Sequence, residues 1–210
     1  MLGDELEFLD EKIKQNTREL ENIAMYDLLT DLPNRNMLNH QLKKLLAIMT
    51  RESNKLTVMF LDFDKFRKVN DTHGHDIGDS FLIKAAQRIR VCLRDSDMLL
   101  RFGGDEFVIV FLEKNIAVGD AILATKLIDS FKEPIAVNEL LFYTSSSIGI
   151  ASTEDTSMLM DDLVRQSDMA INASKDAGGG KCGTFSDVMQ KAVVRKVELE
   201  NEVRDALEIG

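Results

Sequence analysis

Hydrophobic positions change period several times along the chain, and each change marks an element. Residues 4–24 contain neither Gly nor Pro, and Leu6, Leu9, Ile13, Leu20 and Ile23 recur at three- and four-residue spacing. That period predicts a helix with one apolar seam, interrupted by Asn16. The seam suits a short coiled coil and equally a helix packed on its own domain, since about three heptads is the shortest length that signals a coiled coil. A turn with Pro33 and Asn34 follows, then a helix to about Met49.

At Leu56 the pattern becomes a continuous apolar run, LTVMFLDF, ending at Phe63, which predicts a buried strand. Asp64 opens a short helix ending near Gly74, and a long helix over about Asp76–Leu93 carries Phe81, Leu82, Ala85, Ile89 and Leu93 on one face. MLLRF and FVIVF flank Gly103-Gly104-Asp105-Glu106, a hairpin signal. The pattern then predicts a helix over 117–131, an alternating strand over 142–151 ending in SIGIA, and a helix over 161–175. A loop with four glycines over 178–183 and a charged helix over 187–207 complete the chain. Strands interleaved with helices imply an α/β or α+β domain whose sheet is partly antiparallel at the 98–111 hairpin.

Composition narrows the function classes. Hydrophobic residues at 44% and charged residues at 30% describe a globular protein. A net charge of −10 argues against a general nucleic-acid binder, which needs basic surface to replace counterions, so no nucleic-acid partner is expected. A nucleotide stays compatible, because a metal ion can bridge carboxylates to phosphates. Cys92 and Cys182 fit no metal-ligand spacing and read as two reduced thiols of a cytoplasmic protein. No apolar run approaches membrane-spanning length and the N-terminus lacks a signal-peptide pattern. Any membrane anchor of a full-length protein is expected outside these residues.

Two acidic features exceed what structure requires. Asp62 ends an apolar strand, where burying a carboxylate is costly unless it is paired or binds a metal. Asp64, two residues on, is explained as a cap of the next helix. At the hairpin, Gly103 and Gly104 permit positive φ and close approach of an anion, but a plain hairpin needs no Asp105-Glu106 pair. If the strands are neighbours, Asp62, Asp105 and Glu106 converge as oxygen ligands suited to Mg²⁺ and a triphosphate.

These residues sit in a larger pattern. Residues 101–107, RFGGDEF, resemble the signature of the GGDEF family of diguanylate cyclases. DLLTDLPNR at 27–35, LDFDKFRKVNDTHGHDIGD at 61–79 and SIGIA at 147–151 resemble further family segments, and the likeness runs from about Tyr26 to Phe185. The resemblance implies an α/β fold with a central five-stranded mixed sheet flanked by helices, the palm type of nucleotidyl cyclases. It implies condensation of two GTP into cyclic di-GMP and pyrophosphate, with Mg²⁺ or Mn²⁺, by a homodimer.

The implied roles fall on particular positions. Asp62, Asp105 and Glu106, with the Phe63 carbonyl, would hold metal, and Asp105 would also serve as base for the 3′-hydroxyl. Asn70 and Asp79 would hydrogen-bond guanine, with His75 in the substrate pocket, Gly103 and Gly104 against the nucleotide and Lys175 on phosphate. For His75 a structural place on its loop is an equal reading, and of Lys65, Arg67 and Lys68 at least two read as a solvated helix face. Arg94-Asp95-Ser96-Asp97 matches the family's RxxD motif, so Arg94 and Asp97 would bind cyclic di-GMP as inhibitor.

One segment departs from the pattern. Where the family usually has Gly-Arg-Asn after the last helix, this chain has Gly178-Gly179-Gly180 followed by Lys181. Gly179 removes a forked phosphate donor; Lys181 on that loop offers a stand-in, but as a flexible point charge and not a forked donor. Two alternatives therefore stand beside an active cyclase: a GTP-binding regulatory domain of a tandem phosphodiesterase, and a cyclic di-GMP receptor acting through Arg94 and Asp97. The expected organisation is a signalling helix over 1–25, a GGDEF domain over 26–186 and a linker helix over 187–210. An upstream sensor and a downstream EAL domain are expected in the full-length protein.

Overall fold

The apolar run that begins at Leu56 becomes β1 (Lys55–Phe63), the middle strand of a five-stranded mixed sheet. The structure is a computed structural model and describes residues 2–52, 54–113 and 119–191. The start of the helix expected over 117–131, and everything beyond residue 191 of that expected over 187–207, lie outside the described residues.

Chain order is α1 (Leu2–Met25), α2 (Arg35–Glu52), β1, α3 (Phe66–His73), α4 (His75–Cys92), β2 (Met98–Gly103), β3 (Glu106–Glu113) and α5 (Gly119–Ser130). It continues through β4 (Ile135–Val137), β5 (Leu140–Phe142), β6 (Ser146–Thr153), α6 (Met160–Asp176) and β7 (Cys182–Thr184). The sheet order is β2-β3-β1-β6-β7, antiparallel except for the β6–β7 pair. This is the five-stranded mixed sheet with flanking helices that the sequence led us to expect.

Alternation along the strands separates two cores. Met59, Leu61 and Phe63 of β1 and Phe107, Ile109 and Phe111 of β3 pack with α4 and α5. Leu56, Val58 and Phe60 of β1 and Val108 and Val110 of β3 pack with α2 and α6. Every second residue faces the same way, so Asp62 and Glu106 continue the α6-side row.

Helix α6 lies unusually close to that row. It buries Met160, Leu163, Val164, Ser167, Ala170, Ile171 and Ser174, a three-four spacing in which small residues meet the sheet. A Cβ at Gly149 of β6 would fall 1.9 Å from the Ser167 carbonyl oxygen, and one at Gly183 of β7 would fall 2.5 Å from Ser174 Oγ. These glycines let the helix approach the strands.

The α1 seam is not covered by its own domain. Leu9, Ile13, Leu20 and Ile23 are each at least half exposed, which removes the reading of a helix packed along its length on the core. Its C-terminal carbonyls are capped by the following turn: Asn34 and Asn36 donate side-chain N–H groups to Ala24, and the Asn34 backbone donates to Met25.

Three local expectations change. The strand expected over 142–151 divides into β5, which belongs to a separate two-stranded sheet, and β6 of the main sheet. A second hairpin, β4–β5, was hidden because its turn has Asn138 at φ 54° and no glycine. Part of the glycine loop is β7, three residues too short and too polar to show a period.

Gly149→Ala is predicted to destabilise the fold by about 2–3 kcal/mol, because the added methyl strikes backbone. Urea unfolding with an unchanged midpoint would refute this.

Candidate functional site

The register of β1 against β3 pairs Asp62 with Glu106 across the strands, and on its other side Asp62 pairs with Ser147. Gly103 pairs with Glu106, so the β2–β3 connection is a two-residue turn of Gly104 and Asp105, and of the two hairpin glycines only Gly104 uses positive φ, at 49°. Strand end and hairpin tip therefore bring Asp62, Asp105 and Glu106 together. Helix α6 covers them from one side. Its Lys175 Nζ lies 2.6 Å from Asp62 Oδ1, with the Asp62 side chain only 13% exposed.

The same helix supplies a carboxylate the sequence reading missed, Asp168. It stands seven residues before Lys175, hence on the same helix face, and its charge acts on both Asp62 and Glu106. That spacing beside a buried stripe was the available signal. Burial is the main influence raising the carboxyls of Asp62, Asp105, Glu106 and Asp168 above their ordinary values. Repulsion adds to it: Asp64 and Asp168 act on Asp62, Asp62 acts on Asp105, and Asp62, Asp168 and Asp105 act on Glu106. Lys175 opposes the rise at all four.

The cluster is short of positive charge. Its donors are oxygen atoms, and no three His, Cys, Asp or Glu side chains form a closed metal centre among the described residues. Such a set fits a hard divalent cation that keeps waters and phosphate oxygens in its shell.

Beyond the cluster, α3 packs against α4 where Asn70 meets Gly78. Asn70 Oδ1 is buried with no hydrogen-bond partner, under Gly78, where a Cβ would fall 1.8 Å away. An orphaned buried acceptor is costly in a folded protein unless a ligand or water completes it. Asp79 follows Gly78 on α4 and is exposed; His75 is exposed in the first turn of the same helix.

Asp64 does not cap α3. Lys65, at φ 64°, is the N-cap residue, and the Asp64 carboxylate instead accepts from Ser145 Oγ, Ser147 Oγ and the Gly180 N–H. The left-handed turn at Lys65 separates the carboxylate from the helix it was expected to cap.

The hairpin is tethered to the segment after α1. Arg101 donates from Nη1 to both Asp27 oxygens and from Nε and Nη2 to the Gly104 carbonyl, while its backbone N–H donates to Pro33. Burial is the largest influence on Asp27 and pushes its carboxyl up. The Thr30 hydroxyl, Arg101 and the Thr30 amide together outweigh it, so the carboxyl lies below its ordinary 3.8.

A family model described as GGDEF, "Diguanylate cyclase, GGDEF domain", matches residues 24–181. The chain belongs to the GGDEF family. It is 35% identical over 195 residues to the signaling protein YkoW of Bacillus subtilis, covering 91% of this chain and 24% of that protein. It is also 35% identical over 191 residues to the bifunctional diguanylate cyclase/cyclic di-GMP phosphodiesterase MucR of Pseudomonas aeruginosa, covering 91% and 28%. The chain thus spans about a quarter of the length of these relatives. A solved GGDEF domain of TpbB from Pseudomonas aeruginosa superposes with a TM-score of 0.74 at 31% identity, over 80% of this chain and 98% of that one.

In this GGDEF domain the RxxD residues lie away from the acidic cluster, beside Glu113 at the far end of β3. Asp97 is buried and accepts the Arg94 backbone N–H and the Ser96 hydroxyl, so its carboxylate shapes the loop, while the Arg94 side chain is exposed. The three glycines 178–180 all have positive φ. Lys181 donates to the Ala177 carbonyl of its own loop and stays exposed.

Asp27→Asn is predicted to lose about 1 kcal/mol at neutral pH, the scale of a charge-assisted contact discounted for partial exposure. A carboxyl depressed on folding stabilises above its unfolded value and loses that contribution as pH falls through the folded one. The difference from wild type should therefore close below pH 3.8. Urea midpoints across pH that stay parallel would contradict this role.

Proposed function

We propose that this domain is a diguanylate cyclase, joining two GTP molecules into cyclic di-GMP with release of two pyrophosphates. The observation that carries the reading is the cross-strand pairing of Asp62 with Glu106 beside the Gly104–Asp105 turn, next to the unpartnered Asn70 Oδ1. Membership of the GGDEF family supports it.

Guanine binds beside α3 and α4, where Asn70 offers the donor and acceptor of an amide and Asp79 accepts from the ring N–H groups. His75 borders that pocket. The bare backbone at Gly103 and Gly104 lets the nucleotide lie against the hairpin. Asp62, Asp105 and Glu106, with the Phe63 carbonyl, would hold Mg²⁺ or Mn²⁺, which when bound would offset charge on the phosphates. Lys175, paired with Asp62 in the free domain, would also reach the triphosphate. A 3′-oxygen then attacks the α-phosphorus of the facing nucleotide. The new O–P bond forms as the bond to the β-phosphate bridge breaks, the electron pair leaves with pyrophosphate, and Asp105 accepts the hydroxyl proton.

One site holds one GTP, so two copies must face each other. The exposed seam of Leu9, Ile13, Leu20 and Ile23 supports pairing of two α1 helices. Cyclic di-GMP returning to the exposed Arg94 holds copies in an unproductive arrangement, with Asp97 fixing that loop. In a longer signalling protein this domain lies between an upstream sensor and a downstream EAL domain.

A second reading, a GTP-binding regulatory domain of slow turnover, is favoured by the glycine at 179 and by Lys181 turned onto Ala177. Chromatography of reactions with GTP and Mg²⁺ separates the two. The cyclase reading expects cyclic di-GMP from wild type and at least about a hundredfold less from Asp105→Asn, which should melt no lower than wild type because a repelled carboxylate is removed. Added cyclic di-GMP should slow wild type more than Arg94→Ala. GTP binding without product would overturn the cyclase reading in favour of the regulatory one.

A further inference from the structure

The end of β3 remote from the acidic cluster carries an unsatisfied carboxylate oxygen. Glu113 is the last residue of the strand, and its Oε2 is buried without a hydrogen-bond partner. Across the ladder it pairs with Lys55 of β1, the neighbour from which a compensating ammonium would come. That ammonium is already engaged: Lys55 Nζ lies 3.1 Å from Asp120 Oδ2 at the start of α5, with the two side chains 21% and 14% exposed. The start of α5 also closes over Glu113, since a Cβ at Gly119 would fall 2.0 Å from its Oε1.

The loop between α4 and β2 brings the other charges to this place. Asp97 is fixed in that loop: its carboxylate accepts the Arg94 backbone N–H and the Ser96 hydroxyl, and its carbonyl accepts from Arg90 Nη1. Among the described residues neither Glu113 nor the exposed Arg94 side chain makes an ion pair, yet the Arg94 charge acts on Glu113. Burial is the largest influence on the Glu113 carboxyl and pushes it up. Asp120 and Asp97 push the same way, Lys55 and Arg94 oppose them, and the net direction is upward from the ordinary 4.5.

An anion captured by Arg94 shifts this balance one way only. It draws the guanidinium charge from Glu113 and adds negative charge of its own, and both effects favour the protonated carboxyl. By linkage, a proton on Glu113 favours the anion to the same extent. We infer that Glu113 is a proton-operated brake on the Arg94 loop: ionised, it competes with anionic ligands for the guanidinium, and protonated, it releases the guanidinium to them. The ligand is a cyclic dinucleotide, an identity that rests on the inhibitory reading of Arg94 given above. Product therefore inhibits more strongly as pH falls. Glu113 and Glu106 lie at opposite ends of β3, so the brake acts apart from the acidic cluster.

Calorimetric titration of cyclic di-GMP into the whole chain tests this at about pH 5.5 and about pH 7.5, in buffers of different ionisation enthalpy. Wild type should bind about fivefold more tightly at the lower pH, the low end of coupling between two sites, and should take up protons on binding. Glu113→Gln keeps the shape of the side chain. It should bind equally at both pH values, as tightly as wild type does at the lower one, and lose the proton uptake. Asp95→Asn removes an exposed carboxylate of the same loop and should keep the wild-type pH dependence. Wild-type binding that is lost in Arg94→Ala but does not change with pH would overturn the brake and leave the inhibitory reading standing, as would undiminished proton uptake by Glu113→Gln. A wild type that binds no cyclic di-GMP, or an Arg94→Ala variant that binds it as well, would overturn both.

Discussion

The register between β1 and β3 is the constraint on which the site depends. Side chains alternate across a strand, so Asp62 and Glu106 share a face only because each lies an even number of residues from apolar partners on that face. A slip of one residue would turn the carboxylates toward α4 and α5 and bring phenylalanines to the α6 side. The two apolar cores prevent that slip. Phe60, Val108 and Val110 fill one face while Leu61, Phe107 and Ile109 fill the other, and neither set can be exchanged without exposing it. Hydrophobic packing thus positions charges that would otherwise move apart.

Charge balance explains the rest of the arrangement. Asp62, Asp105, Glu106 and Asp168 gather around one ammonium, Lys175, and all four carboxyls are raised above their ordinary values, chiefly by burial. That costs stability at neutral pH, since each carboxylate would ionise more easily in the unfolded chain. The fold tolerates it because α6 is held against the sheet by Gly149 and Gly183 and so keeps Lys175 over Asp62. Repelled carboxylates around a single ammonium form a surface with one task, to receive a cation.

Much of this was legible in the sequence because of conflicts with local rules. Asp62 stood out as a charge ending an apolar strand, and Asp105-Glu106 as acids that a hairpin does not need. The four longer strand segments were legible from period. Asp64 was misread because a carboxylate before a helix is usually its cap, and nothing local betrays that Lys65 turns the chain first. Asp168 was missed because its partners Asp62 and Glu106 are remote in sequence, and its seven-residue spacing from Lys175 was the one local signal. Strand β7 was too short to show a period, and the β4–β5 turn lacks the glycine that flags a hairpin. Lys68 looked like solvated helix surface, and only its place beside Gly178 and Gly179 makes it part of a groove.

On the proposed function, the acidic cluster takes up its cation together with a triphosphate, the protein providing only part of the shell. Manganese titration followed by electron paramagnetic resonance, with and without a non-hydrolysable GTP analogue, measures this directly. Weak Mn²⁺ binding is expected for the protein alone, where Lys175 is paired with Asp62, and binding at least about tenfold tighter once the analogue is present. Equal Mn²⁺ affinity in both conditions, after correction for binding to free analogue, would contradict it.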